Sequence, residues 1–397
     1  MTTPLQNLTT ANYPGGTQDF YPSRANALTD AQLAAVQALV SGAGKGLIRI
    51  GGLSRIQAAI AAATPAAPVT IARVGNSVTA GAGSGISTTW DQAVYRNCSA
   101  QFAALTNGAV LYDSQIGDGH IGLAPSGYSV YNPQVTFPMG TTGLQFITNT
   151  LGGYCFRFDA GATGSMRYTF KAGTTKIRFI WLSLANITVK DDLGVITTLV
   201  SPGGNTLVFS DFVPRTGTTY IEVYGNSSTW LHLGWIAYNG IAKVSLLNCG
   251  MNGQKMSDYS ASTNYYDAAN ALAALSPKMV VVCGSINDAL SATLKLTFRQ
   301  QMVPYIEGIL KYADVVLEIE PISNDASSTS GALWDVQDSM LELAQTYNLT
   351  VMSWPGMNGG FSQANTAGLM FDYAHPSYAG HGADAQMWLG LWNYIKG

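Results

Sequence analysis

The chain has 397 residues, a formal net charge of −3 and 11% charged side chains, with 43 Gly and 20 Tyr. That length exceeds one average domain and can bury a sizeable core. The charge balance excludes a basic nucleic-acid footprint, no apolar run is long enough to insert into a membrane, and low charge with abundant Gly, Ser, Thr, Asn and Tyr suits an extracellular or virion-surface protein.

Cys98, Cys155, Cys249 and Cys283 are scattered without Cys-x-x-Cys spacing, and the four histidines are dispersed. Neither a disulfide framework nor a metal site is expected, and nothing points to a cofactor. Met1 to Gln6 shows no basic n-region or apolar h-region, so no signal peptide is expected. Export then needs another route, such as assembly into a phage particle.

Residues 1–65 read as an N-terminal arm with short helices. A helical pattern runs from Leu28 through Leu33, Val36, Leu39 and Val40, with Thr29 or Asp30 as N-cap. Leu47 to Ile50 predicts a strand and Ser54 to Ala63 an Ala-rich helix. Attachment, oligomerisation and plain packing all remain open for this arm.

The next apolar run, Val69 to Arg73, enters Val74-Gly75-Asn76-Ser77-Val78-Thr79-Ala80-Gly81. A β-branched run ending at Gly-x-Ser predicts a buried strand that stops at a tight turn. Such a turn lifts a serine hydroxyl beside the first N–H groups of the following helix, a placement that suits a nucleophile. From these residues alone a plain Gly-rich turn is the favoured reading. Trp90 to Leu105 then predicts a helix with Ala93, Val94, Cys98, Phe102 and Leu105 on one side. Val110 to Asp113 follows as a strand, and a Gly-rich loop runs through His120.

Between residues 128 and 240 the texture changes to short runs of Val, Ile, Thr and aromatics between Gly, Asn, Asp and Pro breaks. Examples are Tyr154 to Phe158, Ile177 to Leu182, Tyr220 to Tyr224 and Trp230 to Ile236. Period-two alternation at this spacing predicts an antiparallel β-sandwich. The segment resembles an inserted jelly-roll module of the kind attached to carbohydrate-active enzymes. Most of its aromatics belong in a core, and any exposed Trp or Tyr offers a surface for stacking sugars.

From residue 241 strands alternate with helices again: Ala242 to Asn248, Ala268 to Leu275, Lys278 to Cys283, Leu296 to Tyr312, Val315 to Ile319, Leu333 to Tyr347, Thr350 to Ser353 and Gly380 to Ile395. That order predicts a parallel sheet in a three-layer α/β arrangement.

A serine nucleophile needs a base, an orienter and oxyanion donors. His232 alternates with apolar residues in a strand, His120 lies in a Gly-rich loop, and His381 follows Gly380 at a helix start. His375 sits in Phe371-Asp372-Tyr373-Ala374-His375-Pro376, where Asp372 can turn its carboxylate to the imidazole. Asn248-Cys249-Gly250-Met251-Asn252-Gly253 and Gly284-Ser285-Ile286-Asn287-Asp288 each follow a core strand and carry donors. Taken singly, each also reads as an ordinary turn with an Asn or Asp cap.

Together and in this order, the Ser77, Gly253, Asn287 and Asp372/His375 segments resemble the four blocks of the SGNH (GDSL-type) hydrolases. The resemblance covers roughly residues 66–125 and 241–397. It implies a three-layer α/β/α fold with a core in two parts, 66–127 and 241–397, interrupted by the sandwich at 128–240. It also implies Ser77 as nucleophile, His375 as base then acid, Asp372 as its orienter, and an oxyanion hole from Ser77, Gly253 and Asn287. In the family's sheet order the strands ending at Cys249 and Cys283 flank the Ser77 strand, which disfavours a disulfide between them. Asn76 stands where the family usually has Asp, and Ser285 where a second Gly is common.

The expected activity is removal of O-acetyl groups from a bacterial surface polysaccharide by a phage tail protein, with the arm serving virion attachment or homo-oligomer formation. A lipase or thioesterase for longer acyl chains is the rival enzyme. A catalytically silent glycan-binding virion protein is the rival outside enzymes.

Overall fold

Apolar runs bounded by turns pair into one seven-stranded sheet. Thr350–Ser353, Asp314–Ile319, Met279–Gly284, Val69–Gly75, Val244–Gly250 and Val110–Leu111 lie side by side in that order and all parallel. Leu47–Arg49 closes one edge antiparallel to Thr350–Ser353. The computed structural model describes residues 46–84, 97–112, 114–116, 122–124, 127–129, 135–139, 144–183, 185–204, 206–225, 227–251, 253–264, 266–284, 286–291, 295–321 and 332–397. The helical pattern from Leu28, the Trp90 to Arg96 part of its helix, His120 and Ser285 lie outside the described residues.

The central strands are buried at every residue but Thr70 because helices cover both faces of the sheet. Ser54–Ala62, Cys98–Leu105 and Tyr378–Ile395 cover one face through Ile56, Phe102 and Trp388. Ala268–Leu275, Lys295–Leu310 and Ala332–Tyr347 cover the other through Leu272, Phe298, Ile306 and Met340. This is a three-layer α/β arrangement. The chain leaves Val69–Gly75 toward one edge and returns beside it as Val244–Gly250. It then crosses to Met279–Gly284 on the other side. Ligand sites in such sheets lie at this switch, outside the carboxyl ends of the strands.

Most of the chain between the two halves of the parallel sheet forms antiparallel sheets. A five-stranded one runs Ile196–Leu199, Ile187–Asp191, Tyr220–Tyr224, Ser165–Thr169, Val135–Thr136. A second contains Val208–Phe212, Lys176–Ser183, Trp230–Tyr238, Gly153–Phe158 and Leu144–Thr150 along its path. Phe156, Phe179, Trp181, Trp230 and Trp235 meet Tyr168, Val189, Ile221 and Val223 in one apolar cluster. The other face of the second sheet, through Leu231, Leu233 and Ile236, joins the core of the parallel sheet. An extra residue at Leu233, where Ile180 pairs with Gly234 but Trp181 pairs with His232, shifts the phase of alternation. The aromatics on both sides of the bulge therefore face the same cluster.

One sequence expectation needs correction. Leu105 is 37% exposed rather than part of the buried face of its helix. That helix starts at Cys98, where the Asn97 side chain caps it by accepting from Ala100 N. As expected for most aromatics of this segment, Trp181, Trp230 and Trp235 are fully buried in a core. The four cysteines are buried free thiols.

Candidate active site

The serine turn is set by two local facts. A Cβ on Gly75 would lie 2.0 Å from Thr79 Oγ1 and 2.7 Å from Cys283 Cβ, so only glycine lets the chain fold back there. Asn76 then caps the Ser77–Ala80 turn of helix, its Oδ1 accepting from Val78 N at 2.9 Å. The asparagine that departs from the usual aspartate thus performs the capping itself.

Ser77, 9% exposed, places Oγ 2.9 Å from His375 Nε2. The other ring nitrogen, Nδ1, donates to Asp372 Oδ2 at 2.8 Å. Burial works against the Asp372 charge. Hydrogen bonds from the imidazole and from the Ala374 and His375 amides outweigh it, and hold the carboxyl down at about 2. A carboxylate only accepts, so Nδ1 carries the proton and Nε2 is left to receive the one from Ser77 Oγ.

Gly83 seats the histidine loop against the serine turn. Its φ is +82°, and a Cβ there would lie 2.3 Å from Pro376 O and 2.9 Å from Phe371 Cβ. The Ser377 hydroxyl caps the final helix directly after the loop, accepting from Gly380 N at 3.2 Å. Val78, Ile286 and Ala374 pack in one small apolar cluster, and each is the chain neighbour of Ser77, Asn287 or His375. Three distant segments are thereby locked at one point.

Asn287 donates its side-chain amide to Gln254 O at 2.9 Å, which ties it to the residue after Gly253. An amide carries two hydrogens, and this bond fixes its plane. Asp288 makes a second tie by accepting from Met256 N at 3.1 Å, while burial lifts its carboxyl to about 6. All five residues singled out from the sequence therefore sit on segments joined at the carboxyl ends of the central strands.

The remaining described histidines have other duties. His381 donates Nε2–H to Ala82 O at 2.9 Å, and burial pushes it down to about 3, so it stays neutral. His232 is buried among Phe179, Trp230 and Trp235 and is likewise depressed to about 3.

Two buried charge groups were not anticipated. Arg73, on the serine strand, is fully buried with Glu318 and Asp384, and its Nη2 lies 2.6 Å from Asp384 Oδ2. Trp388 Nε1 also donates to Glu318, at 3.0 Å. Glu320, 1% exposed, lies directly beneath the serine turn. For the first group the signal available was a charged residue inside each of two buried strands, Arg73 in Val69–Gly75 and Glu318 in Asp314–Ile319.

A solved structure described as a peptidoglycan O-acetylesterase superimposes with a TM-score of 0.63 at 17% identity, covering 87% of this chain and 98% of that one. The chain has the SGNH hydrolase fold. Two other solved structures match more loosely. A family two carbohydrate esterase from Cellvibrio japonicus has a TM-score of 0.30 at 13% identity, covering 66% of this chain and 97% of that one. A lipolytic G-D-S-L family member from Veillonella parvula DSM 2008 has a TM-score of 0.32 at 16% identity, covering 38% and 81%. No family model matches the chain, and no curated protein matches it in sequence.

Proposed function

We propose that this chain is a serine esterase that removes O-acetyl groups from a bacterial surface polysaccharide. The hydrogen-bonded line from Ser77 through His375 to Asp372 carries this reading. In the first step Ser77 Oγ attacks the acetyl carbonyl as His375 Nε2 takes its proton, and Asp372 supports the imidazolium. The oxyanion is held by the Ser77 and Gly253 N–H groups and the Asn287 amide. His375 then protonates the departing sugar oxygen, leaving acetyl-Ser77. A water molecule deprotonated by His375 releases acetate and restores the serine.

The fold shared with a peptidoglycan O-acetylesterase supports an acetyl ester as the bond cleaved. Phe371, Tyr373 and Tyr378, all within three residues of Asp372 or His375 in the chain, are 45%, 51% and 53% exposed, giving aromatic faces on which a sugar ring could stack. The two antiparallel sheets support an inserted sandwich held beside the catalytic body. The low-charge, Gly- and Tyr-rich composition supports a place on a phage tail, with the N-terminal arm as attachment or oligomerisation segment. Asn76, the departure from the family's usual Asp beside Ser77, is accounted for by its cap and its bond to Glu320, so it lends no support to a silent virion protein.

A chain-length series of aryl esters, run beside acetate release from O-acetylated bacterial polysaccharides, tests the reading. Acetate is expected to be preferred, with acetate released from at least one glycan. Preference for octanoate would favour a lipase or thioesterase, and glycan binding without acetate release a silent binding protein.

A further inference from the structure

Glu320 follows the strand Asp314–Ile319, and none of the chemistry above uses it. Its Oε2 accepts from two segments at once: Asn76 Nδ2 at 2.8 Å and Ile286 N at 3.3 Å. Asn76 immediately precedes Ser77, and Ile286 immediately precedes Asn287. The second oxygen, Oε1, is buried without a hydrogen-bond partner among the described residues. We propose that Glu320 is a positioning residue of this active site, clamping the serine turn to the Asn287 helix through one carboxyl oxygen, and that Asn76 is its matched donor. The proposal rests on the esterase reading for what is positioned.

The pairing accounts for asparagine at 76. That side chain must accept from Val78 N on one side and donate to Glu320 on the other, and an amide does both at any pH. Aspartate would keep the cap but place a second carboxylate against a buried one, and two such groups share a single proton. Burial already lifts Glu320 to about 8, against the bonds from Asn76 and Ile286 that lower it. The titratable and charged groups facing it are Glu318 beside it, Arg73 from the serine strand, Cys283 from the strand between, and Tyr259 from the Met256–Tyr259 helix. The Asn287 helix brings Asp288, which turns its carboxylate to Met256 N.

The test is a cycle of Asn76→Asp, Glu320→Gln and the combined variant, with kcat for an aryl acetate followed from pH 6 to 9. In Asn76→Asp the shared proton is lost as pH rises, so kcat relative to wild type is expected to fall about tenfold or more across that range. In the combined variant the glutamine amide donates to the carboxylate introduced at position 76, so kcat should return to within about threefold of Glu320→Gln, with no alkaline loss. A wild-type pH profile in Asn76→Asp would overturn the proposal, as would a combined variant no better than Asn76→Asp. If Asn76→Asp does not fold, the combined variant decides. A folded, active protein supports the clamp, and failure to fold where Glu320→Gln folds overturns it. If the wild type hydrolyses no ester, the esterase reading fails by itself, and the same rescue is read from thermal midpoints.

Discussion

Replacing Asp372 with Asn is expected to lower kcat for acetyl ester hydrolysis by about a thousand- to ten-thousandfold, with the fold intact. The carboxylate accepts from His375 Nδ1 at 2.8 Å and from the Ala374 and His375 amides at 2.8 and 2.7 Å. An asparagine that turns its oxygen to the two amides presents its NH2 to Nδ1. The imidazole then flips tautomer and carries its proton on Nε2, where it no longer accepts from Ser77. The side chain is part-exposed, so the loss falls on the reaction rather than on stability. Because Asp372 is held at about 2, it stays ionised through any ordinary assay, and its support is lost only as pH falls toward that value. Steady-state kinetics with a thermal melt of both proteins checks each part.

Replacing Arg73 with Met is expected to cost about 3–5 kcal/mol of stability, enough to threaten folding. Arg73 is the cation between Glu318 and Asp384, and all three are buried. Removing it leaves two carboxylates facing each other away from water. Burial and the Glu318 charge already raise the Asp384 carboxyl. Without the guanidinium the Asp384 carboxyl rises further, so the folded state binds a proton that the unfolded chain releases. The deficit is therefore smallest at low pH and grows as pH rises above the unfolded carboxylate range. Replacing Arg73, Glu318 and Asp384 together by apolar residues of similar volume should recover most of the loss, since no unpaired charge then remains. Urea unfolding at pH 5 and pH 8 measures both effects.

The candidate site was legible in the sequence because its residues sit at fixed offsets from strand ends. Val69 to Val74 is an apolar run that stops at Gly75, and Met279 to Cys283 stops at Gly284, so Ser77 and Asn287 fall just beyond them. Asp372 and His375 are three apart on one loop, a spacing that lets a single carboxylate hold both the imidazole and the loop amides. Glu320 was not legible. It has no fixed spacing to Asn76, and its contact exists only because Met279–Gly284 lies between the two strands in the sheet. Arg73 carried a weak signal, a lone cation in a buried strand, but its partners come from residues 318 and 384. Alternation revealed the antiparallel strands between 144 and 238. It did not reveal that the strand Trp230–Tyr238 is buried on both faces, because the Leu233 bulge resets the alternation midway along it. The short helices Trp354–Asn358 and Phe361–Thr366 were unmarked, since Pro355, Gly356 and Gly359 read as breakers.

Acetate release from an O-acetylated polysaccharide and from an aryl acetate, compared between the wild type and Ser77→Ala, tests the nucleophile most directly. Turnover by the wild type with none above background in a folded Ser77→Ala protein is predicted. Turnover retained in Ser77→Ala would contradict the assignment of Ser77 and the mechanism built on it.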